Sequence, residues 1–279
     1  MKKTNKHITE LLIRTINIDV SKYDDSFLNN SLQKRISETL CSSEEDYFIL
    51  LEQNSKEREI FIDSLQISYT EFFRNTLTFA VLENIVLPGL IQKIKNSKRR
   101  EIRIWSAACA TGQEAYSLAM LFEEQNKGDA NKFDYRIFAT DQSETQIDEA
   151  KKGEYHLSAL NNLTMKRLDE WFTKHDDTYT IKPELKAHID FSVFDLLNGQ
   201  YSSPPASIFG DFDLIVCANL LFYYKPEFRK RIFETISSSL VKDGYLVTGE
   251  AESKILTNYY YYEVFPQSAI LRIKNNFQK

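Results

Sequence analysis

The chain has 279 residues, 42% hydrophobic and 27% charged, with only 8 Gly and 6 Pro. That is enough for a sizeable core in one large or two modest domains, and it excludes a disordered or low-complexity chain. A formal net charge of -5 argues against wholesale nucleic-acid binding, and three widely spaced cysteines, Cys41, Cys109 and Cys217, suit a reducing compartment better than a disulfide framework or a zinc site.

The N-terminus is basic, but Glu10, Arg14 and Asp19 interrupt the apolar run that a signal peptide needs. No run approaches the roughly 20 apolar residues of a membrane span, so a cytoplasmic protein without membrane insertion is expected. Residues 1–75 read as a small helical domain. Leu11, Leu12, Ile13 and Ile16 open an amphipathic segment, and Phe27, Leu28, Leu32 and Ile36 follow at helical spacing. Ser42-Ser43-Glu44-Glu45 has the form of a helix cap with an acidic first turn.

The stretch Ile67 to Asn75 sets Phe72 and Phe73 beside Arg74 and behind Thr70. It reads either as a packed aromatic corner with a solvated arginine or as an apolar wall with one cation and one hydroxyl, suited to a ligand bearing a carboxylate. A helix is expected from about Leu77 to Lys95, interrupted at Pro88-Gly89. The organising stretch comes next, from Glu101 to Phe122. Ile102, Ile104 and Trp105 are β-prone, small residues run from Ala107 to Gly112, and Glu114, Tyr116, Leu118 and Phe122 have helical spacing. A strand, a tight small-residue turn and a helix form the first unit of a doubly wound nucleotide-binding sheet, though an ordinary βα turn has the same outline. A dinucleotide fingerprint needs three glycines, and only Gly112 is present, which leaves room for a smaller adenosine ligand.

Tyr135 to Asp141 reads as a second strand ending in a carboxylate. Asp141 could meet ribose hydroxyls there or cap the helix that runs to Lys152. From about 153 to 190 the βα rhythm breaks. A helix over Leu160 to Trp171 and two short strands either side of Asp176-Asp177 suggest an insertion on the sheet edge. The sheet resumes at Ile189 to Val193. Leu214 to Asn219 is a continuous apolar run typical of a strand buried on both faces. Pro226 opens a helix to Leu240, Lys242-Asp243-Gly244 makes a turn, Tyr245 to Gly249 is a strand, and the tail supplies one or two closing strands.

Taken together, several stretches resemble the CheR-type chemotaxis-receptor methyltransferase family: Thr-Glu-Phe-Phe-Arg-Asn at 70–75, Arg103 to Ser117, Ala139-Thr140-Asp141, Asp213 to Tyr224 and Gly244 to Ser253. The resemblance covers about Ile18 to Ile273. It implies an α/β fold, a doubly wound Rossmann-like S-adenosylmethionine-dependent methyltransferase sheet with an N-terminal all-helical domain (1–75), a methyltransferase domain (76–279) and a small β-subdomain insertion at about 153–190. It also implies S-adenosylmethionine as cofactor, S-adenosylhomocysteine as product, no metal, and glutamate methyl esters formed on a chemoreceptor-like protein. By the same resemblance Arg74 and Tyr223 are catalytic, and Ser68, Thr70, Arg74, Glu114, Asp141, Asp195, Leu196, Cys217 and Ala218 bind the cofactor.

The chain also departs from the family. Gln113 and Ala115 replace the usual Glu and Pro, and Ala218 replaces an Arg. In the helix Leu32 to Leu40 a dense arginine cluster has shrunk to Lys34 and Arg35, the pair expected to dock an acidic receptor helix. The short turn at Asp176-Asp177 suggests a form that needs no tethering pentapeptide. The expected partner is therefore an acidic helical chemoreceptor-like protein, bound by a monomer and without nucleic acid. A signalling module that binds S-adenosylmethionine or S-adenosylhomocysteine without transferring methyl is the alternative.

Overall fold

The computed structural model describes residues 3–66, 69–99, 101–127, 132–207, 210–257 and 261–273. Its backbone divides into two compact units, Met1–Ile67 with Leu220–Arg231, and Ser68–Asn219 with Ile232–Lys279. Residue 75, where the helical domain is expected to end, thus falls inside the second unit. The Phe72-Phe73 pair is buried in the second unit's core.

Among the described residues the N-terminal stretch of the first unit holds four α-helices: α1 (Lys3–Ile16), α2 (Asp25–Glu38), α3 (Glu44–Gln53) and α4 (Ser55–Ser64). Each start after α1 has a polar cap. Asp24 accepts the Ser26 N–H at 2.9 Å, Ser43 the Asp46 N–H at 3.1 Å, and Asn54 the Glu57 N–H at 3.1 Å. Ile8, Leu11, Leu12, Leu28, Leu32, Tyr47, Leu51 and Phe61 form its core. The late segment closes this unit. Tyr224 bridges Tyr23, the Asp24 N–H donates to the Tyr223 carbonyl at 2.8 Å, and Lys225 Nζ donates to the Ser21 carbonyl at 2.7 Å.

One ion pair in this unit changes the reading of α2. Arg35 Nε and Nη2 donate to the two Glu57 oxygens at 2.9 and 2.7 Å, Nη1 donates to Glu38 at 2.5 Å, and Tyr47 Oη donates to Glu57 Oε1 at 2.7 Å. The Arg35 side chain is only 13% exposed and that of Glu57 only 7%. Arg35 is therefore largely spent inside the unit, where the sequence alone suggested an outward-facing cation. Lys34, 72% exposed, is left as the outward charge, with its ammonium 3.9 Å from Glu38.

The second unit is built on a seven-stranded sheet in the order β6-β2-β1-β7-β8-β10-β9. The strands are β1 (Glu101–Ala107), β2 (Asp134–Asp141), β6 (Ile189–Val193), β7 (Phe212–Cys217), β8 (Leu240–Thr248), β9 (Tyr261–Glu263) and β10 (Ile270–Ile273). The first five in that order are parallel, and β10 lies antiparallel between β8 and β9. The strand order reverses beside β1, and the carboxyl ends of strands at such a switch point are where open α/β sheets receive ligands. β7 is buried at every residue, as its apolar run requires. The Lys242-Asp243-Gly244 turn lies inside β8, as a register shift against β7 with Asp243 at φ 63°.

Helices pack on this sheet: α5 (Thr76–Val81), α6 (Leu87–Lys95), α7 (Gln113–Lys127), α8 (Glu144–Lys152), α11 (Pro226–Ser238, which begins in the first unit) and α12 (Glu250–Thr257). Pro88 does not interrupt the first of these. A π-turn at Leu82–Val86 joins α5 to α6, widening the turn that a proline ring would otherwise crowd. By length and composition Thr76–Lys95 could cross a bilayer. Its Leu82, Val86, Leu87 and Leu90 nevertheless lie in the core, so it is a core helix of this unit. The insertion is a separate antiparallel sheet, β3-β5-β4, made of β3 (Glu154–His156), β4 (Phe172–His175) and β5 (Thr178–Ile181), with α9 (Met165–Trp171) and α10 (Pro183–Lys186). β3 is the strand that sequence periodicity missed, because three residues are too few to alternate visibly.

Removing Glu57 takes away the buried, two-bonded partner of Arg35 and leaves it only Glu38. Glu57→Ala should lower unfolding stability by about 3 kcal/mol, read as a shift of the urea midpoint at unchanged slope. Lys34→Ala should shift that midpoint by no more than a few tenths of a kcal/mol.

Candidate active site

Between β1 and α7 the backbone is forced. Ala108 and Ala110 have φ of 60° and 47°, and Gly112 of 92°. A left-handed conformation costs an alanine roughly 1–2 kcal/mol, and neighbouring strands hold it in place. The Cys109 N–H donates to the Thr140 carbonyl at 2.8 Å, the Ala110 N–H to Asp141 Oδ2 at 3.0 Å, and the Gly112 N–H to the Cys109 carbonyl at 3.0 Å. Gly112 cannot be replaced so readily: a Cβ there would lie 3.1 Å from Ala150 Cβ and 3.2 Å from the Tyr116 ring. The turn thus has a glycine-type path written largely in alanine, which explains why a three-glycine motif is absent from a working nucleotide turn.

Asp141 is 8% exposed. Oδ2 holds the Ala110 N–H, and Oδ1 accepts the Ser143 N–H at 3.0 Å. Burial pushes its carboxyl upward while these backbone N–H groups hold it down. Ser143, and not Asp141, caps α8 by accepting the Gln146 N–H. Asp141 is left tied to the turn with its remaining lone pairs available for hydroxyl donors.

Glu114 stands in the first turn of α7, where a carboxylate faces the helix N-terminus. Burial pushes its carboxyl up to about 7. The Ser106 hydroxyl, 2.6 Å from Oε1, and Arg74 favour the ionised form, whereas Glu252 opposes it. Glu252, on α12, is wholly buried and accepts the Asn219 N–H at 2.8 Å and the Gly249 N–H at 2.9 Å on one oxygen. A Cβ on Gly249 would lie 2.9 Å from that oxygen and 3.0 Å from the Asn219 nitrogen, so glycine is required there. The Cys217 thiol is pushed up by burial and by both glutamates, and the Cys109 thiol by burial, Asp141 and Glu114. Both stay protonated and neither is a nucleophile.

Arg74 is the cation that acts on Glu114. It sits behind Phe72 and Phe73, which are buried, and between Phe73 and Asn75, which have φ of 49° and 63°. Its Nη1 donates to the Tyr69 carbonyl at 3.1 Å, and its guanidinium lies 5.0 Å from the Tyr69 ring centre. The phenylalanines are core and the arginine is half-exposed, as the packed-corner reading of the segment expects.

The structure therefore brings Arg74, Glu114, Asp141 and Cys217 to the carboxyl ends of β1, β2 and β7. Thr70, half-buried, precedes Arg74 on its segment, and Ala218 follows Cys217. Asp195 and Leu196 are drawn alongside by the Phe194 N–H, which donates to the Asp141 carbonyl at 2.8 Å. Ser68 lies outside the described residues. Tyr223 belongs to the first unit, where its ring packs edge-on against Phe27 with centres 4.8 Å apart. Sequence reasoning missed Glu252. Its signal was the Gly249-to-Glu252 spacing inside the resembling stretch, read there only as strand and tail. Two buried carboxylates with one arginine suit a ligand with a cationic group for Glu114, a carboxylate for Arg74 and hydroxyls for Asp141, and an S-adenosyl amino acid has all three.

Below pH 7 such a cation must displace a proton from Glu114. Affinity for S-adenosylhomocysteine should then fall by up to about tenfold per pH unit below 7 and level off above it. Glu114→Gln should bind more weakly and lose that slope. Calorimetry across the range checks both, and a flat wild-type profile would refute the assignment.

Comparison with known proteins agrees with this geometry. Residues 68–269 match the family model "CheR methyltransferase, SAM binding domain", and residues 6–65 match "CheR methyltransferase, all-alpha domain". The chain is 36% identical over 201 residues to the chemotaxis protein methyltransferase Cher2 of Pseudomonas putida, covering 70% of each chain. It is 33% identical over 211 residues to the chemotaxis protein methyltransferase of Borreliella burgdorferi, covering 75% of this chain and 73% of that one. To the chemotaxis protein methyltransferase of Listeria monocytogenes it is 29% identical over 252 residues, covering 90% of each. With both domain models matched in order and the turn, the carboxylates and Arg74 gathered at the sheet's switch point, the chain belongs to the CheR methyltransferase family and binds S-adenosylmethionine.

Proposed function

We propose that this protein methylates glutamate side chains of a chemoreceptor-like signalling protein, forming methyl esters. The observation that supports it most is Glu114, buried in the first turn of α7 against the Ser106 hydroxyl with Arg74 acting on it as a cation, which offers an anionic group to a cationic donor and a cationic group to an anionic acceptor. When bound, S-adenosylmethionine supplies a methyl already activated on a sulfonium. A glutamate acceptor is ionised at neutral pH, with a reference pKa of about 4.3, so this chain needs no general base. Its residues have to bind, align and exclude water.

Glu114, aligned by Ser106, takes the ammonium of the donor's amino-acid part, and Asp141 takes the ribose hydroxyls. Asp195 and Leu196 flank the adenine, Cys217 and Ala218 contribute backbone, and Thr70 and Arg74 lie over the cofactor. Arg74 orients the incoming carboxylate, and Tyr223 keeps the catalytic role that the family resemblance implies. The acceptor oxygen gains the methyl as the carbon–sulfur bond breaks with its electrons going to sulfur, and the substrate loses one negative charge. The acceptor is an acidic helical protein, met by Lys34 on α2, and the two-residue β4–β5 turn suits a form without a tethering pentapeptide. The protein works as a cytoplasmic monomer.

One observation favours a second reading, a cofactor-binding module that no longer transfers methyl: Arg35 is occupied by Glu57 and Glu38, which thins the docking charge. The test uses tritiated S-adenosylmethionine and acidic receptor fragments. Base-labile label on the fragment is expected, and Arg74→Ala should lower its rate by about 100-fold or more while keeping affinity for S-adenosylhomocysteine within about tenfold. Cofactor binding with no label on any fragment would favour the second reading.

A further inference from the structure

We infer that Tyr155, on the inserted sheet, is a positioning residue for methyl transfer, holding the cofactor turn and the Arg74 segment in one register. Its hydroxyl donates to the Thr111 carbonyl at 2.7 Å, inside the turn between β1 and α7. Its ring meets that of Phe72 edge-on, centres 4.9 Å apart at 81°. Phe72 is wholly buried and stands two residues before Arg74. One side chain thus touches both halves of the site, and it belongs to the insertion and not to the nucleotide-binding sheet.

A second grip acts on the same segment. Phe172 of β4 packs on Phe72 with centres 5.6 Å apart. Arg167 of α9 places its guanidinium 4.0 Å from the Phe73 ring centre, while forking to both Glu124 oxygens at 2.8 Å. A partly buried arginine held by a bidentate carboxylate over an aromatic face is a stiff contact. From the other side the Phe73 N–H donates to Ser117 Oγ at 3.0 Å. The left-handed backbone at Phe73 and Asn75 therefore persists because the insertion and α7 over-determine it. The grips divide the labour. The Tyr155 hydroxyl acts on the cofactor turn, and Arg167 acts on the arginine's segment without touching that turn, being anchored at Glu124 far along α7.

The inference rests on reading this as the cofactor site, and its test begins with binding, before any acceptor is added. Tyr155→Phe keeps the ring and removes the donor to Thr111. It should weaken S-adenosylhomocysteine binding by calorimetry about five- to tenfold and speed hydrogen exchange over residues 108–112, leaving the 172–181 hairpin as protected as before. Arg167→Gln should leave that affinity within about twofold but lower kcat about tenfold. A merely structural tyrosine would lower the melting temperature and leave affinity and turn exchange unchanged at 25 °C, and that result would overturn the inference alone. Wild-type protein that bound no S-adenosylhomocysteine would overturn the cofactor reading and the inference with it.

Discussion

Two buried carboxylates that feel each other's charge are the constraint on which this site depends. Glu114 and Glu252 repel one another in a medium that solvates neither well. Glu252 relieves its share through two backbone N–H groups, at the cost of a glycine at 249 and a left-handed Asn219. Glu114 has one hydroxyl and the field of Arg74. A bound cation completes what these partners leave undone, and a neutral ligand of the same shape would not. Burial, with the carboxylates around them, keeps Cys109 and Cys217 as thiols, so the site binds a reactive methyl donor without offering it a protein nucleophile.

Much of this was legible in the sequence, for identifiable reasons. The β1-turn-α7 unit could be read because β-prone residues, small residues and helical spacing follow one another without a gap. The four parallel crossovers follow from buried strands such as β7, whose apolar run has no amphipathic alternative. Asp141 could be placed at a strand tip but not separated from a capping role, since Ser143 two residues later is equally fit to cap. The path of the turn itself was not legible, because Ala108 and Ala110 adopt a conformation that their side chains disfavour and that only the neighbouring strand ends enforce.

What local pattern could not convey was where long-range partners lie. Arg35 beside Lys34 reads as half of a basic patch until Glu57 and Tyr47, far along the chain, take it inward. Tyr155 sits in a three-residue strand, and nothing in Glu-Tyr-His announces a hydrogen bond to Thr111. Pro88 signals a break, yet the helix around it absorbs the proline one turn earlier. In each case the side chain's meaning was set by a neighbour distant in sequence.

The return of Leu220–Arg231 to the helical unit has a consequence for how the chain is made. Tyr23, Asp24 and the Ser21 carbonyl find their partners in Tyr224, Tyr223 and Lys225, so the first helices to leave the ribosome do so without the piece that closes them. Synthesis must run through the nucleotide-binding half as far as Arg231, past β7 but short of β8, before that unit can lock. Nascent chains stalled earlier would carry an open helical head, a natural target for chaperones.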